Sequence, residues 1–171
     1  MNRCPRMIDA GRRKFLTGAG LAAAGVAATQ LPLSQAKAAT TPDAYPSNKL
    51  ANVHDLKVDE PMNVAYPDGD APGVLIKLGK RVPSGAGPDG DIVGFSTICP
   101  HKGFPLAYNK SDRTLNCPGH YSRFDCEDGG MEVWGHATQN LPQYILRVGA
   151  NGDIYAEGVD ELLYGRLSNV L

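Results

Sequence analysis

Cys99-Pro100-His101-Lys102-Gly103 and Cys117-Pro118-Gly119-His120-Tyr121-Ser122 share one plan, in which each segment brings one cysteine and one histidine to a proline-containing turn. The spacings are C-x-H and C-x2-H, with sixteen residues from His101 to Cys117. Soft thiolates and imidazoles gathered on turn-rich loops are metal ligands by type. A Cys2His2 zinc site would use the same four side chains. Zinc modules, however, usually take both cysteines from one knuckle and both histidines from another, whereas here each loop supplies one of each.

The flanking sequence reads as short strands. Asp91-Ile92-Val93-Gly94-Phe95-Ser96-Thr97-Ile98 runs directly into Cys99. It is preceded by the apolar run Val74-Leu75-Ile76-Lys77-Leu78 and the turn-forming stretch from Pro83 to Gly90. Towards the C-terminus, Tyr144–Val148 and Ile154–Glu157 flank an Asn151-Gly152 tip, a hairpin signal. No long stretch carries a 3.6-residue period, so the class is all-β with little helix. Glu161–Gly165 reads equally as a helical turn or a further strand.

The 171 residues suffice for one domain, and 42% apolar with 20% charged residues supports a packed core. A formal net charge of −1 argues against a basic nucleic-acid-binding protein. That average hides an asymmetry. Residues 1–38 carry six basic residues against the single acid Asp9, which leaves 11 basic and 17 acidic residues in the rest of the chain. The paired Arg12-Arg13, followed by Lys14-Phe15-Leu16, a weakly apolar Gly/Ala run to Leu33 and Gln35-Ala36-Lys37-Ala38, resembles a twin-arginine (Tat) export signal. The apolar run of 18 residues would span about 27 Å as a helix, slightly short of the bilayer core. Cleavage is therefore expected over retention as an anchor, and Cys4 would leave with the leader. Residues 39–49 read as an extended lead-in strand or linker, and 50–171 as the domain proper, with metal-binding loops over about 96–130.

The mixed ligand pairs resemble the Rieske [2Fe–2S] signature, in which one iron takes two cysteines and the other two histidines. The resemblance implies an antiparallel β-sandwich with a small cluster-binding subdomain, carrying one cluster per chain. Cys99 and Cys117 would bind one iron, and His101 and His120 the other. Gly103 and Ser122 fall where the pattern places its loop glycine and its serine. Two ferric ions, two sulfides and two thiolates sum to zero charge, so histidine ligation raises the potential above that of all-thiolate clusters. In high-potential members the serine donates to a bridging sulfide and a tyrosine bonds a ligand cysteine. Phe124 stands at the tyrosine position, which implies a potential below theirs. The potential is further expected to fall at alkaline pH as His101 and His120 lose ring protons. Cytochrome bc-type members also clamp the two loops with a disulfide. Here Phe104 and Gly119 occupy those positions, so no disulfide is expected. Cys126 reads as a buried, unreactive thiol, and His54 and His136 as ordinary strand or loop histidines. Trp134 reads as a core or interface residue rather than an electron relay.

Outside the loops the chain resembles the small subunits of arsenite oxidases. The likeness runs through Ile76-Lys77-Leu78-Gly79, Val82-Pro83, Gly87-Pro88-Asp89 and Asp91-Ile92-Val93, and returns in Leu163-Tyr164-Gly165-Arg166 with Asn169-Val170. It implies the non-catalytic electron-transfer half of a heterodimeric periplasmic oxidoreductase. A large molybdopterin-containing subunit would oxidise arsenite to arsenate. This chain would hand the electrons to azurin or cytochrome c. An uncleaved leader would tie it to the outer face of the inner membrane. The alternative is the Rieske subunit of a cytochrome bc-type quinol oxidoreductase. A Rieske oxygenase α-subunit would need a second domain with a mononuclear iron site, for which the spare histidines supply no paired motif.

Overall fold

The computed structural model describes residues 44–170; the leader and the start of the linker lie outside the described residues. Ten strands and one 3-10 turn follow in order: β1 (Asn48–Asn52), the turn Val53–Asp55, β2 (Met62–Ala65), β3 (Pro72–Lys77), β4 (Ile92–Ser96), β5 (Ala107–Asn109), β6 (Thr114–Asn116), β7 (Arg123–Asp125), β8 (Met131–Trp134), β9 (Tyr144–Val148) and β10 (Asp153–Val159). They form three antiparallel sheets, ordered β1-β10-β9, β2-β3-β4 and β5-β6-β7-β8.

Strands β3 and β4 are central because both of their faces are buried. Val74, Ile76, Val93 and Phe95 point into a core shared with Leu115, Phe124 and Leu141 of the cluster-loop region. The alternate residues Leu75 and Ile92 pack with Ala51 and Ile154 of the β1-β10-β9 sheet. Side chains alternate across a strand, so a sheet sandwiched on both sides must be apolar at consecutive positions. That requirement is why Val74–Ile76 reads as an unbroken apolar run. The β9–β10 hairpin forms at the Asn151-Gly152 tip, where Gly152 takes φ +83.

Two boundaries differ from the sequence reading. The linker is already docked at Tyr45, whose ring stacks on Tyr66 at 6.2 Å between centroids, and β1 pairs with β10 from Asn48 onward. The Tyr66 hydroxyl donates to the Pro46 carbonyl at 2.8 Å, which fixes Pro46 beside β2. Glu161–Gly165 is neither helix nor strand but an irregular segment ending in a turn. Asn169 holds it from outside, accepting from the Leu163 amide and donating to the Glu161 carbonyl, both at 2.8 Å.

Candidate metal centre

Each loop is closed by its own backbone. In the first, the Cys99 amide donates to the Phe104 carbonyl at 2.8 Å and the Gly103 amide donates to the Cys99 carbonyl at 2.9 Å. Gly103 turns the chain at φ +72. In the second, the Cys117 amide donates to the Ser122 carbonyl at 2.8 Å, and Tyr121 takes the left-handed conformation at φ 64. The two closed loops set their candidate ligands in two pairs, one of cysteines and one of histidines. The Cys117 side chain is near enough to raise the Cys99 thiol, and both residues are buried. The His101 and His120 rings lie 4.7 Å apart between centroids.

The chemistry of this set suits a two-iron cluster. Burial pushes the Cys99 thiol up, with the backbone of His101 and Lys102 opposing it, so a thiolate there requires a cationic partner. Burial, with the charges of His120, Lys102 and His136, holds the His101 imidazole below its ordinary value, in the neutral form that ligates metal. His101 Nδ1 is buried without a hydrogen-bond partner, a lone pair available to a metal. Two cysteines beside two histidines match a pair of irons that each take two protein ligands.

Around this set, Ser122 is fully buried, and its hydroxyl oxygen accepts from the backbone amides of both His136 and Ala137 at 3.0 Å. Both acceptor positions are thereby spent, leaving its O–H hydrogen as its unspent donor. Phe124 is also fully buried, in the core below Cys117. Phe104 and Gly119 meet across the loops: a Cβ at Gly119 would lie 2.9 Å from the Phe104 ring, and that ring stands edge-on to His120 at 5.8 Å. The three cysteines of the described region are free. Cys126 is buried, and desolvation pushes its thiol up to about 12, as expected of an inert thiol.

His136 is the residue that sequence reasoning missed. It sits in a third loop, stacked on His101 at 6.0 Å and 6.5 Å from His120. Gly135 makes that approach possible, because a Cβ there would fall 2.2 Å from Ser122 Cα. The available signal was the Trp134-Gly135-His136 segment following the second motif. Trp134 is not a core residue: it is 68% exposed at the end of edge strand β8. His54 lies in the 3-10 turn and is exposed.

Comparison with known proteins agrees with this geometry. The chain is 41% identical to the iodate reductase subunit IdrB of Denitromonas iodatirespirans over 92% of its own length and 85% of that protein. It is 39% identical to the iodate reductase subunit IdrB of Pseudomonas sp. (strain SCT) over 90% of its length and 81% of that protein. The soluble domain of Rieske protein II (soxF) from Sulfolobus acidocaldarius superposes with a TM-score of 0.65 at 26% identity, covering 76% of this chain and 88% of that one. Residues 47–145 match the Rieske [2Fe-2S] domain, and the chain belongs to that family, whose Rieske-type cluster is its cofactor.

Proposed function

We propose that Cys99 and Cys117 hold one iron and His101 and His120 the other, and that the chain is the electron-transfer subunit of a two-subunit oxidoreductase. When bound, the cluster supplies reversible one-electron carriage at a potential raised by its neutral imidazole ligands. The chain's own residues would do the rest. The buried sulfur pair keeps water from the thiolate-bound side, and the exposed His120 brings the other side to the surface. Ser122 would donate its free O–H to a bridging sulfide, and the amides of His101 and Lys102 would donate to the Cys99 sulfur. Gly103 shapes the first loop, while Phe104 and Gly119 stand where a disulfide would otherwise sit.

The catalytic partner is a large molybdopterin-containing subunit that oxidises arsenite to arsenate and releases two electrons. This chain takes them one at a time and delivers them to azurin or cytochrome c. The Tat-type leader places the assembly in the periplasm, at the inner membrane if it is retained. The observation that carries the electron-transfer reading is the buried Cys99 and Cys117 on the same two loops that pair the His101 and His120 rings 4.7 Å apart. The substrate rests on the likeness of the Ile76–Val93 region and the Leu163–Val170 tail to arsenite oxidase small subunits.

A second reading has a specific observation behind it: the relatives that match over nine-tenths of the chain are named as iodate reductase subunits. Electrons would then flow in the opposite direction, towards the catalytic subunit. Purification of the native complex from periplasmic and membrane fractions, followed by metal analysis and EPR, separates the readings. Arsenite reduction of a Rieske EPR signal in a molybdenum-containing complex is the expected result. Oxidation of a pre-reduced signal by iodate, with no response to arsenite, would transfer the assignment to iodate reduction. Co-purification with b- and c-type haem subunits would favour the cytochrome bc alternative.

A further inference from the structure

The C-terminal segment Leu163-Tyr164-Gly165-Arg166 has no part in the ligand set, yet it is tied down on both sides of Tyr164. Leu163 is 4% exposed in a core with Tyr66, Tyr144 and Val159. Arg166 makes a two-pronged ion pair with Asp68, at 2.6 and 2.7 Å. Asn169 adds bonds to the Leu163 amide, the Glu161 carbonyl and the Tyr45 hydroxyl, each 2.8 Å.

Between these anchors the Tyr164 ring lies directly against the first loop. A Cβ at Gly103 would sit 2.4 Å from Tyr164 Cε1 and 2.9 Å from Cδ1, so the ring covers the Gly103 Cα face. Gly103 is the turn residue that returns its amide to Cys99. The third loop touches the same segment, since the Gln139 side-chain amide donates to the Leu162 carbonyl at 3.2 Å. On the far side of the first loop, Phe104 already bridges to Gly119. The loop carrying Cys99 and His101 therefore has two ring contacts, its own Phe104 reaching Gly119 and the Tyr164 ring reaching Gly103.

We infer that Tyr164 is a positioning residue for the first cluster loop, held in place by the Leu163–Arg166 strap. Phe104 packs the first loop against the second, and Tyr164 packs it against the C-terminal strap. The inference rests on the ligand assignment proposed above. An aromatic contact of this kind corresponds to about two- to tenfold in the rate of loop opening.

The test uses the full chain loaded with its cluster, incubated with an iron chelator, with release followed by visible absorbance and hydrogen exchange read across residues 97–106. Tyr164→Ala is expected to release iron about two- to tenfold faster and to exchange faster in that loop. Tyr164→Phe should stay within about twofold of wild type, because the ring and not the hydroxyl makes the contact. Arg166→Ala should fall between them. Asn52→Ala, which disturbs the β1–β10 end of the base, serves as a control for general loss of stability. If Tyr164→Ala loads poorly, Tyr164→Leu carries the same comparison. Release from the Tyr164 variants no faster than from the Asn52 control would overturn the inference. A wild-type chain that binds iron without a Rieske EPR signal would instead overturn the ligand assignment.

Discussion

At the scale of single residues, the proposed ligands are distinct from the groups proposed to tune them. Ser122 has both acceptor positions filled by backbone amides, so its hydroxyl hydrogen is oriented before any cofactor is present. Ser122→Ala is expected to lower the reduction potential by about 40–90 mV, the equivalent of about 1–2 kcal/mol of hydrogen bonding lost from the more negative reduced state. It should also cost about 1–2 kcal/mol of stability, because the His136 amide loses its acceptor. An EPR-monitored redox titration with a melting curve checks both effects, and an unchanged potential would remove Ser122 from the tuning set. Phe124→Tyr tests the opposite sign. The ring is fully buried, so an added hydroxyl must find a polar partner, and a ligand cysteine sulfur is the group expected to take it. The potential should rise; a fall would show that the hydroxyl is directed elsewhere. The four candidate ligands were legible in the sequence because two short motifs carry them. His136 was not, because its nearness depends on a glycine letting one loop lie against another, and no spacing rule reports that.

At the scale of elements, the cluster-binding sheet β5–β8 is joined to the base by a charged cluster as well as by the shared core. Arg113 donates to both carboxylate oxygens of Asp59, at 2.9 and 3.1 Å, and to Glu127 at 2.8 Å. Lys80 pairs with the other oxygen of Glu127 at 2.7 Å, and the Tyr108 hydroxyl donates to Asp59 at 3.1 Å. The Arg113 guanidinium holds the Asp59 carboxyl below its ordinary 3.8, and Arg113 with Lys80 holds Glu127 below 4.5. A depressed carboxylate contributes stability that is complete above its ordinary pKa and is lost as pH falls through the folded value. The chain should therefore destabilise as pH drops below about 4. Asp59→Asn should melt lower at pH 7 and show a shallower loss in acid, and Arg113→Ala should cost about 1–2 kcal/mol at neutral pH. Denaturation across pH 3–7 reads these outcomes, and parallel acid limbs for wild type and Asp59→Asn would refute the junction's role. None of this pairing was visible in sequence, since Asp59 and Arg113 lie in separate loops. β3, β4 and the β9–β10 hairpin were legible from apolar runs and an Asn-Gly turn. β5 to β7 were not, because three-residue strands are too short to display an alternation.

At the scale of the whole molecule, the question is which face meets a partner. The end bearing His120 also exposes Tyr121 at 72%, Trp134 at 68% and Phe104 at 43%. Three large rings left open around candidate ligands are unusual on a surface that has no partner, and aromatic anchors dominate binding energy where they are buried on association. Electron exchange also requires a short path, which favours docking where the histidines surface rather than at the distal β9–β10 hairpin. Trp134 is the only tryptophan in the chain, so it provides a single-site probe. Incorporating 5-fluorotryptophan gives one fluorine resonance, and unlabelled catalytic subunit is expected to shift or broaden it. Trp134→Ala should weaken that association by about 2 kcal/mol, or roughly thirtyfold, without changing the EPR signal of the isolated chain. A fluorine signal unmoved at saturating partner, with the complex still formed, would place the contact face elsewhere, and the exposed rings would then have to be explained by the electron carrier, tested by repeating the titration with azurin or cytochrome c.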